Sequence, residues 1–270
     1  MLELQNVDVT IEGTPVLRGV SFVARSGQVT GYVGPNGAGK TTTMRLLTGV
    51  LKPDAGRVFV AGIDVAANPL VAKRSFGYVP EAGQLYESFT PTEYLAFIGR
   101  MHGMPEGLIR RRTEALFRFW GLTRAEHQRM HGFSKGMKQK VLLSSGLLHD
   151  PPVFLLDEPL NGLDAHAVLQ VRALLRTRAA AGRTVFYSSH ILDAVEKVAD
   201  RVVVIRDGQI ITAGSPQEIV TAAAAGSLED AFSHLTSTAD ALDEAEILER
   251  DAFGREPIVP PAPDPLPDAA

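Results

Sequence analysis

Residues 34 to 42 read Gly34-Pro35-Asn36-Gly37-Ala38-Gly39-Lys40-Thr41-Thr42. The run fits G-x-x-x-x-G-K-[ST], the pattern of a phosphate-binding loop, or P-loop. Its glycines allow a tight turn in which successive backbone N–H groups point into one concavity that fits phosphate oxygens. In such a loop the ammonium of Lys40 lies between the β- and γ-phosphates, and the hydroxyl of Thr41 ligates Mg²⁺. The run therefore predicts a site for a nucleoside triphosphate and Mg²⁺.

The P-loop pattern has meaning only where a strand precedes it and a helix follows it. Residues 28–33 are typical of a short buried strand, and residues 41–48 carry apolar side chains at helical spacing. The helix is expected to begin at about Gly39, where its positive end favours an anion. Both requirements of the pattern are met.

Composition excludes several classes of protein. The 270 residues carry a formal net charge of -4, which gives no reason to expect a nucleic-acid partner. The absence of cysteine excludes disulfides and thiolate metal sites, and it is compatible with a cytosolic protein. The first six residues are not expected to be a signal peptide. No run reaches the roughly 18 apolar residues of a membrane span, so any span must come from another chain.

Apolar periodicity predicts an α/β arrangement. Residues 2–23 indicate antiparallel strands joined by a turn, and residues 92–130 read as helices. The remaining predicted strands are 58–60 (after a turn at 53–56), 76–79, 153–156, 184–188 and 202–205, and the remaining helices are 134–148, 165–180 and 191–198. Strands and helices that alternate at this spacing favour a mainly parallel sheet.

Two acids follow the all-apolar run 153–156, which is expected to be a strand buried on both faces. A parallel sheet presents its ligand crevice at the carboxyl ends of its strands. Asp157 is suited there to holding Mg²⁺, and Glu158 to polarising the attacking water as a general base. Alone, the pair is weak evidence for a nucleotide site, because many buried strands end in acids. In a sequence that also contains a P-loop, it is strong evidence.

A second anion-binding surface is predicted at the start of the helix after Phe133. Ser134 is a good N-cap, and the unhindered Gly136 leaves the free N–H groups of the first turn accessible. The alternative is a simple capped helix.

Together these motifs resemble the nucleotide-binding subunit of an ATP-binding-cassette (ABC) transporter. Phe133-Ser134-Lys135-Gly136-Met137 stands where that family has its Leu-Ser-Gly-Gly-Gln signature. Asn161-Gly162-Leu163-Asp164 resembles its D-loop, and His190 resembles its switch histidine. The motifs occur in the expected order over residues 2–214.

The resemblance implies a fold and a division of the chain. The fold is an α/β P-loop NTPase (RecA-like) with a mixed, mainly parallel sheet, an N-terminal antiparallel β subdomain and an inserted α-helical subdomain. Residues 1–236 would form the ABC ATPase domain, with the helical subdomain at about 90–150. Residues 237–270 would form a C-terminal extension that is Pro-rich and disordered from about 251; an inert tail is the favoured interpretation.

The resemblance also implies a mechanism. Two cassettes face each other head to tail, and each ATP lies between the P-loop of one and the signature of the other. ATP closes the dimer and hydrolysis reopens it. The residues implied are Glu158 and His190 for catalysis, Gly34 to Thr42, Glu81, Ser134, Lys135, Gly136, Met137, Asp164 and Ile11 for ATP, and Thr41, Asp157 and Glu81 for Mg²⁺. Asp164 would also communicate across the dimer.

Three features of the sequence depart from the family pattern. Glu81 stands where the family has its Q-loop glutamine, and Gln84 is an alternative for that role. Ile11 stands near the position of the adenine-stacking aromatic residue, so adenine packing would be aliphatic and nucleotide selectivity loose. Lys135 and Met137 replace a Gly and the Gln of the signature. With Glu81, this form resembles the exporter branch (multidrug and antibiotic exporters among them) with separate membrane subunits, as does the C-terminal helix expected at 227–232.

The partners implied are a transmembrane permease subunit and a second cassette, identical or related, which would place the chain in the cytoplasm at the inner face of the membrane. The permease would dock between the Glu81 region and residues 92–130. Leu85, Tyr86 and Phe89 are either its apolar contacts or core residues. The basic run 110–112 is interpreted as a solvated face, with docking or lipid contact as the alternative. Other functions considered are a soluble ABC ATPase not coupled to transport and an unrelated P-loop kinase or GTPase.

Overall fold

A six-stranded sheet with the P-loop strand inside it organises the chain. The protein is described by a computed structural model, which covers residues 1–81, 85–236 and 251. The strands in these residues are β1 (Leu2–Ile11), β2 (Thr14–Ala24), β3 (Val29–Val33), β4 (Ala55–Val60), β5 (Ile63–Asp64), β6 (Phe76–Val79), β7 (Val153–Asp157), β8 (Thr184–Ser189), β9 (Arg201–Arg206) and β10 (Gln209–Gly214).

The helices lie on both sides of this sheet in the chain order expected of an α/β protein. They are α1 (Lys40–Leu47), α2 (Pro69–Arg74), α3 (Pro91–Met101), α4 (Glu106–Trp120), α5 (Lys135–Leu147), α6 (Ala165–Ala180), α7 (Leu192–Glu196), α8 (Pro216–Ala222) and α9 (Leu228–Thr236). Two short 3₁₀ turns, Thr123–Ala125 and Met130–Gly132, connect α4 to α5.

The large sheet has the strand order β10-β9-β3-β8-β7-β6. β3 pairs in parallel with β8 and β9, and β7 pairs in parallel with β8 and β6; β10 is antiparallel to β9. The carboxyl ends of β3, β8 and β7 therefore meet at one edge. The P-loop follows β3, Glu158 follows β7, whose last residue is Asp157, and His190 follows β8.

The middle strands are buried because helices or the second sheet cover both faces. β7 is buried throughout, as its continuous apolar sequence predicts. Val153 and Leu155 enter one apolar core, which they share with β1, β2 and α1. Phe154 and Leu156 enter the other core, which they share with α3 to α9.

A four-stranded antiparallel sheet, β2-β1-β4-β5, forms the N-terminal part. Its inward residues in β1 are Leu2, Leu4, Val7 and Val9, and the spacing changes between Leu4 and Val7 because the pairing with β2 is irregular there. Asn6 lies in this irregularity with a φ of 46°. A bulge of this kind explains why the period-two pattern of the sequence is only approximate.

Aromatic packing joins the two sheets. The ring centroid of Phe22 on β2 lies 5.4 Å from that of Tyr32 on β3 and 5.5 Å from that of Phe186 on β8. Offset and tilted aromatic contacts at such distances are favourable. They fix the antiparallel sheet against the strand that leads into the P-loop.

The region predicted as helices at 92–130 is α3, α4 and the two 3₁₀ turns. Thr90 caps α3 and accepts from the backbone N–H of Glu93, whose carboxylate in turn accepts from Thr90 N–H at 2.8 Å. Gly103, with a φ of 69°, and Pro105 separate α3 from α4. The boundaries 1–236 for the domain and about 90–150 for a helical subdomain stay predictions.

Several predicted boundaries need correction. Ala55 and Gly56, predicted in a turn, belong to β4, in which Ala55 pairs with Asp8 of β1. The helix predicted at 191–198 is only Leu192–Glu196, since turns follow it. β5, α2, β10 and α8 were not predicted, because they are short or lie at a sheet edge where apolar periodicity is weak.

The C-terminal helix predicted at 227–232 is present as α9, which runs from Leu228 to Thr236. The prediction of a disordered Pro-rich tail falls outside the described residues, apart from Asp251. Within residues 1–81 and 85–236, every helix is too short or too polar to cross a bilayer.

Two stacked histidines join the end of α3 to the end of α5. The rings of His102 and His149 lie 3.8 Å apart between centroids with an interplanar angle of 10°. His149 Nε2 lies 3.1 Å from the carbonyl oxygen of Phe76, so this nitrogen carries the proton and donates. Burial, followed by the charge of His102, lowers the pKa of His149 to about 4.

We expect this histidine to make folding stability depend on pH. In the unfolded chain a histidine has a pKa of about 6.5. Between about pH 4 and 6.5 the unfolded state therefore binds more protons at His149, and stability falls as the pH is lowered through this window. Above it the contribution is complete. Urea unfolding at pH 7.5, 6.0 and 5.0 should show a smaller decline for His149→Gln than for the natural sequence.

Replacement of the exposed His131 by Gln is the matched control, and it should keep the decline of the natural sequence. Equal pH dependence in His149→Gln and the natural sequence would contradict the assignment.

Candidate active site

The P-loop connects β3 to α1 as the sequence predicts. α1 begins at Lys40, and Gly39 precedes it with φ 107° and ψ 7°, a conformation that L side chains rarely adopt. At Gly34 the constraint is space, because a Cβ atom there would lie 2.3 Å from the carbonyl oxygen of Ile205. Glycine is thus required at both ends of the loop.

One cleft of about 510 Å³ opens at the carboxyl ends of β3, β7 and β8. Its lining residues are Ile11, Val16, Asn36, Gly37, Gly39, Lys40, Thr41, Thr42, Glu81, Asp157, Glu158 and His190. All of these except Val16 were named from the sequence. Gly34, Pro35 and Ala38 belong to the same loop but do not line the cleft.

Lys40 lies at the floor of the cleft. Its ammonium donates to the carbonyl oxygens of Gly34 at 2.6 Å and Pro35 at 3.1 Å. Burial lowers the pKa of Lys40, while the carboxylates of Glu158, Asp157 and Glu81 oppose this effect. The cation is thus close enough to the acids of the cleft to interact with them.

The two acids at the end of β7 are both buried, Asp157 at 2% and Glu158 at 6% exposure. The hydroxyl of Ser188 on β8 donates to Asp157 Oδ1. Burial raises the pKa of Asp157, and this hydrogen bond opposes the rise. Burial also raises the pKa of Glu158, with the hydrogen bond from His190 opposing it.

Glu158 has a left-handed backbone, with a φ of 49°. Such strain in a non-glycine residue persists only where the surroundings hold it. Here the Glu158 N–H donates to the carbonyl oxygen of Ser188 at 3.2 Å, and His190 Nδ1 lies 2.8 Å from Glu158 Oε1. Both ends of the glutamate are therefore fixed by the end of β8.

His190 connects the buried acid to the open part of the cleft. Its Nδ1 donates to Glu158, so Nε2 is the ring nitrogen available to a ligand. The His190 side chain is 54% exposed, compared with 7% for the side chain of Glu158. This geometry allows the histidine to contact a ligand and the base at once.

Aliphatic side chains form the remaining wall. Ile11 at the end of β1 and Val16 near the start of β2 are both half-buried and line the cleft. Val16 was missed from the sequence. The hairpin pairing of Ile11 with Thr14 carries the signal, because it brings residue 16 to the same end of the two strands.

The signature residues lie outside this cleft. Ser134 is exposed and caps α5, accepting from the N–H of Met137 at 3.2 Å. A Cβ atom on Gly136 would lie 2.9 Å from the carbonyl oxygen of Gly162, so the signature packs against the D-loop. Lys135 is exposed, and its aliphatic stem covers Gly162. Within one chain these residues do not meet the P-loop.

Asp164 is also outside the cleft and has a role that the sequence did not predict. It is the N-cap of α6 and accepts from the N–H of Ala167 at 2.8 Å. This hydrogen bond lowers the pKa of Asp164. Its predicted part in communication between two cassettes stays a prediction.

The proposed docking residues divide into two groups. Leu85 is buried and belongs to the core, whereas Tyr86 is 59% exposed. The Tyr86 ring lies 5.7 Å from that of the half-buried Phe89 and 6.0 Å from that of Phe97, which is 38% exposed. Gln84 lies outside the described residues, so the choice between Glu81 and Gln84 for the Q-loop role stays open.

The basic run is solvated at two of its three residues. Arg110 and Arg111 are exposed, whereas Arg112 donates to the carbonyl oxygen of Leu148 at 2.8 Å and is half-buried. The third arginine thus stabilises the end of α5.

Comparison with known proteins gives consistent matches. A family model described as ABC transporter matches residues 17–161. Nod factor export ATP-binding protein I of Ralstonia nicotianae is 36% identical over 206 residues, which cover 76% of this chain and 64% of that protein, less than two thirds of its length. The linearmycin resistance ATP-binding protein LnrL of Bacillus subtilis is 31% identical over 219 residues, 81% of this chain and 70% of that protein.

Solved structures agree in fold. An ATP-binding subunit of an ABC transporter is 32% identical with a TM-score of 0.83, and the match covers 87% of this chain and 99% of that one. A dimeric bacterial ABC transporter cassette has a TM-score of 0.74 over 80% of this chain and 98% of that one; at 23% identity it shows likeness of fold alone.

Proposed function

The chain belongs to the ABC transporter family as an ATP-binding subunit with the family's ATPase domain, and on that premise we propose that it powers export of a substrate through a separate transmembrane subunit. The predicted family and the α/β P-loop fold are confirmed. One observation carries the assignment of the site: a single cleft gathers the P-loop Lys40, the acids Asp157 and Glu158, and His190.

ATP is proposed to bind with its phosphates in the P-loop and its base against Ile11 and Val16. Lys40 is the cation of the cleft that would meet the β- and γ-phosphates. An aliphatic wall can hold a base by burial of apolar surface, but it offers no hydrogen bonds that distinguish adenine from guanine. Nucleotide selectivity is therefore expected to be loose.

Thr41, Asp157 and Glu81 are proposed to hold Mg²⁺ with the phosphates. They line the same cleft as Lys40, and Asp157 keeps one carboxylate oxygen outside its hydrogen bond to Ser188. In residues 1–81 and 85–236 no three His, Asp or Glu side chains form a metal cluster. That suits Mg²⁺, which takes one or two protein carboxylates with phosphate and water oxygens. When bound, it would neutralise charge on the phosphates.

Glu158 is proposed as the general base. Its Oε1 is bound by His190, which leaves Oε2 to accept a proton from water as the water oxygen bonds to the γ-phosphorus. The bond from that phosphorus to the β-phosphate oxygen breaks in the same reaction. A pKa raised by burial makes the carboxylate a better proton acceptor.

The second half of the site is proposed to come from another cassette. Ser134 and Lys135 are exposed, Gly136 is half-buried beside Gly162, and none of the three lines the cleft of its own chain. A helix N-terminus can bind an anion through its free N–H groups. A solved cassette of similar fold is dimeric, which supports a pairing of two cassettes, and in that pairing this surface is proposed to meet the partner's nucleotide.

Export through a permease rests on the relatives. One matching protein is named for Nod factor export and another for linearmycin resistance. The exposed Tyr86 and Phe97 support a permease contact beside α3, at the inner face of the membrane. No nucleic-acid partner is proposed for a chain with a formal net charge of -4.

Lys40→Ala is expected to lower kcat/KM for ATP hydrolysis by about 100-fold or more and to weaken nucleotide binding, because the phosphates lose their main cation. Phosphate release with ATP and Mg²⁺ measures the effect. Lys52→Ala, which removes an exposed lysine outside the cleft, should behave as the natural sequence does. Unchanged turnover in Lys40→Ala would refute the site.

Ile11→Tyr is expected to tighten binding of both ATP and GTP roughly tenfold, because an aromatic ring stacks on either base. Inorganic tripolyphosphate, which has no base, should bind as before. Titration calorimetry with the three ligands tests this, and Thr10→Tyr on the opposite face of β1 is the control. If Ile11→Tyr binds ATP and tripolyphosphate with unchanged affinities, the base does not lie at Ile11.

Glu158→Gln is expected to bind ATP while its hydrolysis slows by about 100-fold or more, because the amide cannot accept the proton. The complex with ATP and Mg²⁺ should then elute from gel filtration at twice the 29.0 kDa mass of the chain. Glu229→Gln, an exposed acid on α9, should remain active. A Glu158→Gln protein that binds ATP but stays monomeric would argue against the two-chain site.

A further inference from the structure

One buried serine contacts both acids of the cleft. Ser188 is 0% exposed and lies opposite Asp157 in the parallel pairing of β7 with β8. Its hydroxyl donates to Asp157 Oδ1 and accepts from the backbone N–H of Glu158 at 3.3 Å. A serine hydroxyl has one proton to donate, and here that proton is committed to Asp157.

The position would otherwise suit an apolar residue. Ser188 lies between β3 and β7 in the sheet, opposite Tyr32 on one side and Asp157 on the other. A fully buried hydroxyl is unfavourable unless it is hydrogen-bonded. The partners it has are the carboxylate of Asp157 and the strained backbone of Glu158, which are both parts of the proposed site.

We propose that Ser188 is a positioning residue that orients the Asp157 carboxylate toward the Mg²⁺ of a bound nucleotide. Its bond to Oδ1 fixes the rotation of the carboxylate and leaves Oδ2 to face the cleft. Its contacts with the Glu158 backbone hold Glu158 in the left-handed conformation. The inference rests on the proposed function, since it concerns the metal that accompanies ATP.

Groups that orient a metal ligand affect the metal more than the rest of the site. Loss of such a partner typically costs 10- to 100-fold in metal affinity or activity. Ser188→Ala should therefore weaken binding of the nucleotide with Mg²⁺ and leave binding of the metal-free nucleotide unchanged. A serine that only supports the fold would affect both equally.

The test measures binding of a non-hydrolysable ATP analogue by titration calorimetry, with Mg²⁺ and with EDTA. The affinity in Mg²⁺ divided by the affinity in EDTA measures how much the metal contributes to binding. This measurement does not depend on ATP hydrolysis. We expect Ser188→Ala to lower this ratio about tenfold and Ser188→Thr, which keeps the hydroxyl, to restore most of it. Ser144→Ala is the matched control, because Ser144 is equally buried and donates to the carbonyl oxygen of Lys140 at 2.8 Å, away from the acids.

The possible results separate clearly. A folded Ser188→Ala protein with an unchanged ratio, or with equal losses in Mg²⁺ and EDTA, overturns the inference. If Ser188→Ala does not fold, Ser188→Cys, of similar shape but with a weak donor, is measured in its place with the same two outcomes. If the natural sequence itself fails to bind the analogue, it is the proposed function that fails.

Discussion

Parallel pairing of β3, β8 and β7 is the constraint on which the site depends. Because the three strands run the same way, their carboxyl ends meet at one edge, and the P-loop, the acids and His190 follow those ends directly. No long-range contact of flexible loops is needed to bring them together. The register adds precision, since Asp157 lies opposite Ser188 and Val33 lies opposite Ser189. A shift of one residue between β7 and β8 would separate both acids from the groups that hold them.

The cleft concentrates features that do not favour stability. It buries Lys40, Asp157 and Glu158. Burial lowers the pKa of the lysine and raises the pKa of both acids, which in each case favours the neutral form. It also holds Glu158 in a left-handed conformation. Such features persist where the surrounding structure compensates for them, and here the two apolar cores on the faces of the sheet do so. Hydrogen bonds from Ser188 on β8 to Asp157 and from His190, which directly follows β8, to Glu158 then reduce the cost of burying the two acids.

The sequence predicted the parts of the site that depend on local order along the chain. The P-loop and the strand 153–156 with its two acids could be located because a glycine pattern and a continuous apolar run mark them, whereas His190 was located through its resemblance to the family's switch histidine. Val16 and Ser188 could not, because their positions depend on which strands pair and in what register. The capping role of Asp164 is local, because Asp164 directly precedes α6, but the prediction for this residue came from its resemblance to the family's D-loop and concerned a partner.

The proposal of a second chain is supported by the position of the signature more than by its motif. A capped helix start such as that of α5 is common, and taken alone it is weak evidence for a ligand. Here, however, a close approach of Gly136 to Gly162 fixes the start of α5 against the D-loop, so two separate loops share one exposed surface. The cleft of the same chain is lined by other residues, and among those that the structure describes Lys40 is the one lysine or arginine. A triphosphate there would carry more negative charge than this side chain offsets. Another cassette would supply further N–H donors and a cation such as Lys135. These groups would offset the remaining negative charge of the triphosphate.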